Sequence, residues 1–125
     1  MAKLGRYAAN RFKIEAVSAD KTVEVSDCGT MFVVAGGTGL TLPTATDAGK
    51  GWWIRIVKSD EGDAVAVTAT STLDGQGVDA NEIVSLSGDC AIGANAGKGS
   101  WLEIWSDGTQ YYATGIADNN AGLTA

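Results

Sequence analysis

Apolar and polar residues alternate with a period of two along most of this chain, which predicts short strands. In Thr22-Val23-Glu24-Val25-Ser26 the valines alternate with polar neighbours, as a half-buried strand requires. Residues 30–35 form a more continuous apolar run, suited to a strand covered on both faces. Gly36-Gly37-Thr38-Gly39 breaks the pattern and Leu40-Thr41-Leu42 resumes it. Pro43, which has no N–H to donate to a ladder, ends it. Residues 44–50 are small and polar and predict a turn or a single helical turn. Strands follow at 52–57 and 64–70, then a loop at Leu73-Asp74-Gly75-Gln76-Gly77, then strands at 82–86, 90–92, 100–105 and 110–115. About nine short strands at this spacing predict an all-β, single-domain β-sandwich or barrel. The domain is expected to span 17–117. Residues 1–16 form a basic N-terminal arm, either extended or a short helix with Ala8, Phe12 and Ala16 on one face, and 118–125 a flexible C-terminal tail.

One hairpin plan occurs twice. Ala48-Gly49-Lys50-Gly51-Trp52-Trp53-Ile54-Arg55-Ile56-Val57 is echoed by Ala96-Gly97-Lys98-Gly99-Ser100-Trp101-Leu102-Glu103-Ile104-Trp105. Each copy runs into Ser-Asp and a glycine turn, and Asp107-Gly108 suits a primed two-residue turn because glycine takes positive φ without strain. Two copies fall short of the three or so that a solenoid needs. They predict two equivalent edges or sheets within one domain. Adjacent strand residues point to opposite faces, so Trp52/Trp53 and Tyr111/Tyr112 must each divide between two faces. Trp53, Trp101 and Trp105 share a parity opposite to Ile54, Ile56, Leu102 and Ile104. With the aliphatic set in the core, those indoles cover the second face of the sheet, meet another subunit or partner, or stack on carbohydrate.

The charge is divided unevenly. Lys3, Arg6, Arg11 and Lys13 give the first fourteen residues +4 with no acid, while the remainder carries −10, for a net −6. So acidic a body repels phosphate backbones, which argues against nucleic acid as a partner. The arm is either a solubilising terminus or a segment that docks on an acidic partner surface, where arginine forks can bind carboxylates. No apolar run approaches the roughly 18–20 residues of a membrane span, and the N-terminus lacks the apolar stretch of a secretory signal. The expectation is a protein made without classical export and without a membrane partner. Cys28 and Cys90 are expected as two buried thiols. A disulfide between them would add about 4 kcal/mol on chain-entropy grounds, but no feature of the sequence demands it.

Candidate chemistry is sparse. The chain has no histidine, which removes the commonest general base and metal ligand and every Ser-His-Asp or Cys-His arrangement. Gly93-Ala94-Asn95-Ala96-Gly97-Lys98-Gly99-Ser100 resembles a phosphate loop only superficially. Its glycine spacing is short, Gly99 stands where Ser or Thr must follow the lysine, and a strand rather than a helix comes next. The carboxylate pairs Asp60/Asp63 and Asp74/Asp79 fall in predicted turns, where Asp is favoured for its bonds to backbone N–H groups. Ser59-Asp60-Glu61-Gly62-Asp63 lacks the EF-hand pattern. The expectation is a non-enzyme with no cofactor and no metal.

Several of these segments together resemble small β-structured virion proteins of tailed bacteriophages: head decoration (cement) proteins and related tail-fibre modules. The resemblance is carried by Leu40-Thr41-Leu42-Pro43 leading to Ala48-Gly49-Lys50-Gly51, by Leu73-Asp74-Gly75-Gln76-Gly77, and by Trp105-Ser106-Asp107-Gly108-Thr109-Gln110-Tyr111-Tyr112-Ala113-Thr114-Gly115, and so covers residues 40–115. It implies a β-sandwich or barrel, usually trimeric, without catalysis. With no heptads or shaft repeats, the chain fits a decoration protein on the capsid surface, its partner the major capsid protein. Lys3, Arg6, Arg11 and Lys13 would then contact the partner, and Trp53, Trp101 and Trp105 the subunit or partner seams. The alternative is a receptor- or glycan-binding tail module using the same indoles.

Overall fold

The computed structural model describes residues 12–80, 82–118 and 122–124. Most of the alternating segments are extended, but the strand expected at Thr22-Val23-Glu24-Val25-Ser26 stops at Thr22: Val25–Asp27 turn in a 3₁₀ helix, which points Val25 to solvent. β1 (Lys13–Val17), β2 (Lys21–Thr22), β3 (Thr30–Val34), β4 (Gly39–Thr41), β5 (Lys50–Lys58) and β6 (Val65–Thr68) form the first half. β7 (Leu73–Asp79), β8 (Glu82–Ser87), β9 (Cys90–Ile92), β10 (Trp101–Asp107), β11 (Tyr111–Ala117) and β12 (Leu123–Thr124) form the second. They make a β-sandwich of a seven-stranded sheet, in the order β1-β3-β5-β10-β11-β7-β8, and a five-stranded sheet, β12-β9-β6-β4-β2. One turn of helix, α1 (Ala45–Ala48), follows Pro43 and is capped by the Thr44 hydroxyl, which accepts from the Asp47 N–H at 3.2 Å.

The first six strands alternate between the sheets. β1, β3 and β5 run parallel in one sheet while β2, β4 and β6 run parallel in the other. The chain therefore winds through three circuits of a flattened coil before β10 pairs antiparallel with β5. The coil has no sequence repeat. The repeat that does exist, the two Trp-bearing segments, lies in β5 and β10, which are neighbours in one sheet with Ile54 opposite Ile104 and Trp53 opposite Trp105. The expectation of two equivalent edges or sheets is thereby corrected.

Between the sheets lie Phe32, Val34, Ile54, Ile56, Leu102, Ile104 and Tyr111 from one side and Leu40, Val65, Val67, Cys90 and Ile92 from the other. Trp52 and Tyr111 pack together with ring centroids 5.9 Å apart. Each also satisfies its polar atom: Trp52 Nε1 donates to the Val25 carbonyl at 2.9 Å and Tyr111 Oη to the Pro43 carbonyl at 2.6 Å.

Three further boundaries differ from the sequence-based expectation. Residues 13–16 are not arm: Phe12, Ile14 and Ala16 alternate with Lys13, Glu15 and buried Val17, and the segment pairs with β3 over five residues. This extended backbone replaces the helical face expected for Phe12 and Ala16, and Ala8 lies outside the described residues. Nor is the end of the chain all tail, because Leu123 is buried and β12 pairs with β9. Finally, Leu73-Asp74-Gly75-Gln76-Gly77 is strand, not loop. The glycines face inward, where a Cβ on Gly75 would strike the Ala113 carbonyl and one on Gly77 would stand 2.5 Å from Leu123 Cδ1. Close approach of the neighbouring strand β11 at Gly75, and of the other sheet's β12 at Gly77, requires glycine there.

Candidate functional site: the outer face of the seven-stranded sheet

The register aligns the outward residues of this sheet into three ranks. The first is aromatic: Trp53, Trp105 and Tyr112 stand side by side on β5, β10 and β11, with Asp74 next on β7. Trp105 and Tyr112 are stacked at 6.1 Å, and Phe12 sets its ring edge-on to Trp53 at 5.6 Å. The second is mostly polar: Ile14, Met31, Arg55, Glu103, Thr114, Gln76 and Ser85. The third is apolar across all seven strands: Ala16, Val33, Val57, Trp101, Ile116, Val78 and Ile83.

That apolar rank is open to solvent at its β11-β7-β8 end. Ile83 is 73% exposed, Ile116 50% and Val78 41%. Soluble surfaces carry single exposed aliphatics without consequence, but three in register beside Trp101 form a patch. In the polar rank, Arg55 gives both Nε and a terminal nitrogen to Glu103 Oε2 and lies over the Trp101 ring, 4.9 Å from its centroid. The ion pair thus lies between the other two ranks and packs against the indole of the apolar one.

A shallow groove of about 410 Å³ opens at the aromatic end, lined by Phe12, Gly51, Trp53, Arg55, Glu103 and Trp105. The β10–β11 turn follows two residues beyond Trp105. Gly108 there has φ +93°, and Asp107 Oδ1 accepts from the N–H groups of both Gln110 and Thr109 at 2.8 Å. Those two bonds, with help from the Tyr112 hydroxyl, hold the Asp107 carboxyl below its ordinary pKa.

Of the residues singled out from sequence, Trp53, Trp101 and Trp105 do share this face, with Trp53 and Trp105 in the aromatic rank and Trp101 in the apolar one. Lys13 is exposed at the start of β1, on the edge of the same sheet. Lys3, Arg6 and Arg11 lie outside the described residues. Sequence reasoning missed Val78, Ile83 and Ile116, because only cross-strand register brings such distant single residues into one line.

The remaining polar features are structural. Lys58 is wholly buried at the end of β5, and its Nζ donates to the carbonyls of Gly62, Gly93 and Ala96 at 2.7, 3.0 and 3.0 Å. Cys90 is buried, which pushes its thiol up to about 12, and Asp89 adds to the shift. Cys28, expected to be buried, is exposed instead, because it follows the 3₁₀ turn at Val25–Asp27 rather than sitting in a strand; both thiols are free. Among the described residues, no three His, Cys, Asp or Glu side chains gather as a metal site would require.

Fold and face together define a two-sheet β-sandwich protein whose seven-stranded sheet carries an aromatic and an apolar rank on its outer face. No protein-family model, curated protein or solved structure matches the chain.

Proposed function

We propose that the chain is a decoration (cement) protein of a bacteriophage head, a homotrimer that binds the outer surface of the major capsid protein shell and stabilises it. The observation that carries this reading is the apolar rank of the seven-stranded sheet, which crosses every strand and ends in exposed Ile116, Val78 and Ile83. A surface of that kind gains by being covered, at roughly 25 cal/mol per Å² of apolar area removed from water. The resemblance of residues 40–115 to phage virion proteins supports the choice of partner. A protein that binds assembled shell and not free subunits stabilises the shell by mass action.

A second reading, a glycan-binding module of a phage tail, is favoured by the groove that sets Trp53 and Trp105 beside the Arg55–Glu103 pair, since sugars stack on aromatic faces and bond to such polar pairs. Quantitative mass spectrometry of purified virions separates the two. Hundreds of copies per particle are expected of a decoration protein. A few copies per particle, together with glycan-array binding, would replace it with the tail module.

A further inference from the structure

The seven-stranded sheet ends in an unguarded edge. Among the described strands β8 is last in the order, and its register against β7 runs without a bulge from Glu82 to Ser87. It carries neither proline nor lysine, the usual blocks to edge pairing. The other edges are limited by length or charge: β2 and β12 have two residues each, and β1 carries Lys13 and Glu15.

Register assigns the free backbone groups. The Gly88 N–H donates to the Leu73 carbonyl at 3.0 Å, which makes Leu73 and Gly88 a hydrogen-bonded pair. Antiparallel pairs alternate, so Leu86 and Val84 bond to Gly75 and Gly77. Ile83, Ser85 and Ser87 then aim their N–H and C=O groups away from β7, into the open edge. All three are exposed, and Ile83 is also where the apolar rank stops. The surroundings are acidic. Residues 73–89 contain Asp74, Asp79, Glu82 and Asp89 and no lysine or arginine, and of the four acids only Asp79 is buried. Lys98 lies beside Trp101 and Ile116, across β7 from this edge.

We propose that β8 takes one further antiparallel strand, an extended basic segment of the shell protein. The segment bonds to the backbone of Ile83, Ser85 and Ser87, sets an apolar side chain beside Ile83, and turns lysine or arginine toward Glu82 and Asp89. Main-chain bonds give the contact its affinity and the flanking charges select a basic sequence. Ile83 belongs both to this edge and to the rank that the shell is proposed to cover, so the added strand continues that rank onto the partner. A second copy of β8 fits less well: pairing about Ser85 would set each Glu82 beside the other copy's Asp89. The inference rests on the proposed shell contact and names its backbone component.

The test measures binding to isolated phage heads for the parent, Ser85→Ala and Ser85→Pro. Proline removes an N–H that β7 does not use, so this variant should keep the parent's Tm, and alanine keeps the N–H. Ser85→Ala is expected to bind as the parent does, and Ser85→Pro at least about tenfold more weakly. Hydrogen exchange on the shell, read by NMR after release, supplies a second signature. The amides of Ile83, Ser85 and Ser87 should exchange rapidly in the free protein and slowly on the shell, with those of Val84 and Leu86 slow in both. Should proline lower the Tm, this exchange pattern decides alone. Full binding by a stable Ser85→Pro, or rapid exchange at the three amides on the shell, would overturn the added strand and leave the apolar rank as the contact. Absence of binding by the parent would overturn it together with the shell reading.

Discussion

Replacing Lys58 by methionine tests how the two halves of the sandwich are held together. Lys58 ends β5, and its ammonium reaches the turn after that strand through the Gly62 carbonyl and the β9–β10 connection through those of Gly93 and Ala96. Its backbone is paired there too, its N–H with Ser100 and its carbonyl with Gly99. Methionine keeps the length and removes all three donors. Each bond from a charged donor contributes about 1.5–3 kcal/mol. Relief of the ammonium's desolvation offsets part of that sum, leaving a net loss of about 3–5 kcal/mol, the range seen when one side of a buried charged arrangement is removed. Against a typical total of about 5–15 kcal/mol this is a large fraction. It corresponds to a fall in Tm on the order of 10–20 °C for a domain of this size. Urea unfolding followed by tryptophan fluorescence measures it, with m unchanged if the native and unfolded states are otherwise the same. A loss below about 1 kcal/mol would refute the reasoning, because water would then be serving the three carbonyls as well as lysine does.

Further outcomes follow from the same structure. Gly75→Ala drives a Cβ into the Ala113 carbonyl and is expected to cost about 3 kcal/mol or more in urea unfolding; Gly88→Ala, at φ +60° with open space around it, should cost about 1 kcal/mol. Burial, with the nearby Asp47 charge adding to it, pushes the Tyr111 hydroxyl up to about 12, above its ordinary value near 10. Its contribution is therefore complete below pH 10 and lost between pH 10 and 12, as the unfolded chain ionises first. Stability measured over that range should fall by up to roughly 3 kcal/mol, and Tyr111→Phe should flatten the decline. With a thiol-specific reagent at neutral pH, Cys28 should react in the native protein and Cys90 only after unfolding; two fast thiols would contradict the burial of Cys90.

The parity of the tryptophan strands was legible in the sequence. Ile54, Ile56, Leu102 and Ile104 alternate so regularly with Trp53, Arg55, Trp101, Glu103 and Trp105 that one register satisfies both β5 and β10. What escaped had specific physical causes. β7 was hidden because its inward positions include Gly75 and Gly77, which leave no apolar side chain to mark the period. β12 was hidden because one buried leucine, Leu123, carries it amid small residues. Lys58 lies just beyond the strand expected at 52–57, and nothing local shows that three carbonyls from loops converge on it. The threefold coil of parallel strands left no repeat, because each circuit packs different residues at equivalent places. The apolar rank needs seven strands in known register, so this face was only half visible through its indoles.

The central claim is that the outer face of the seven-stranded sheet is a shell-binding surface. Its most direct test is the binding of the purified protein to isolated phage heads, compared with Ile83→Asp/Ile116→Asp. Both positions are exposed, so the variant should keep the parent's Tm. The account predicts binding of the parent to intact shells and at least about a tenfold weakening, roughly 1.4 kcal/mol, in the variant. Equal binding by the two proteins, or no binding of the parent to shells, would contradict it.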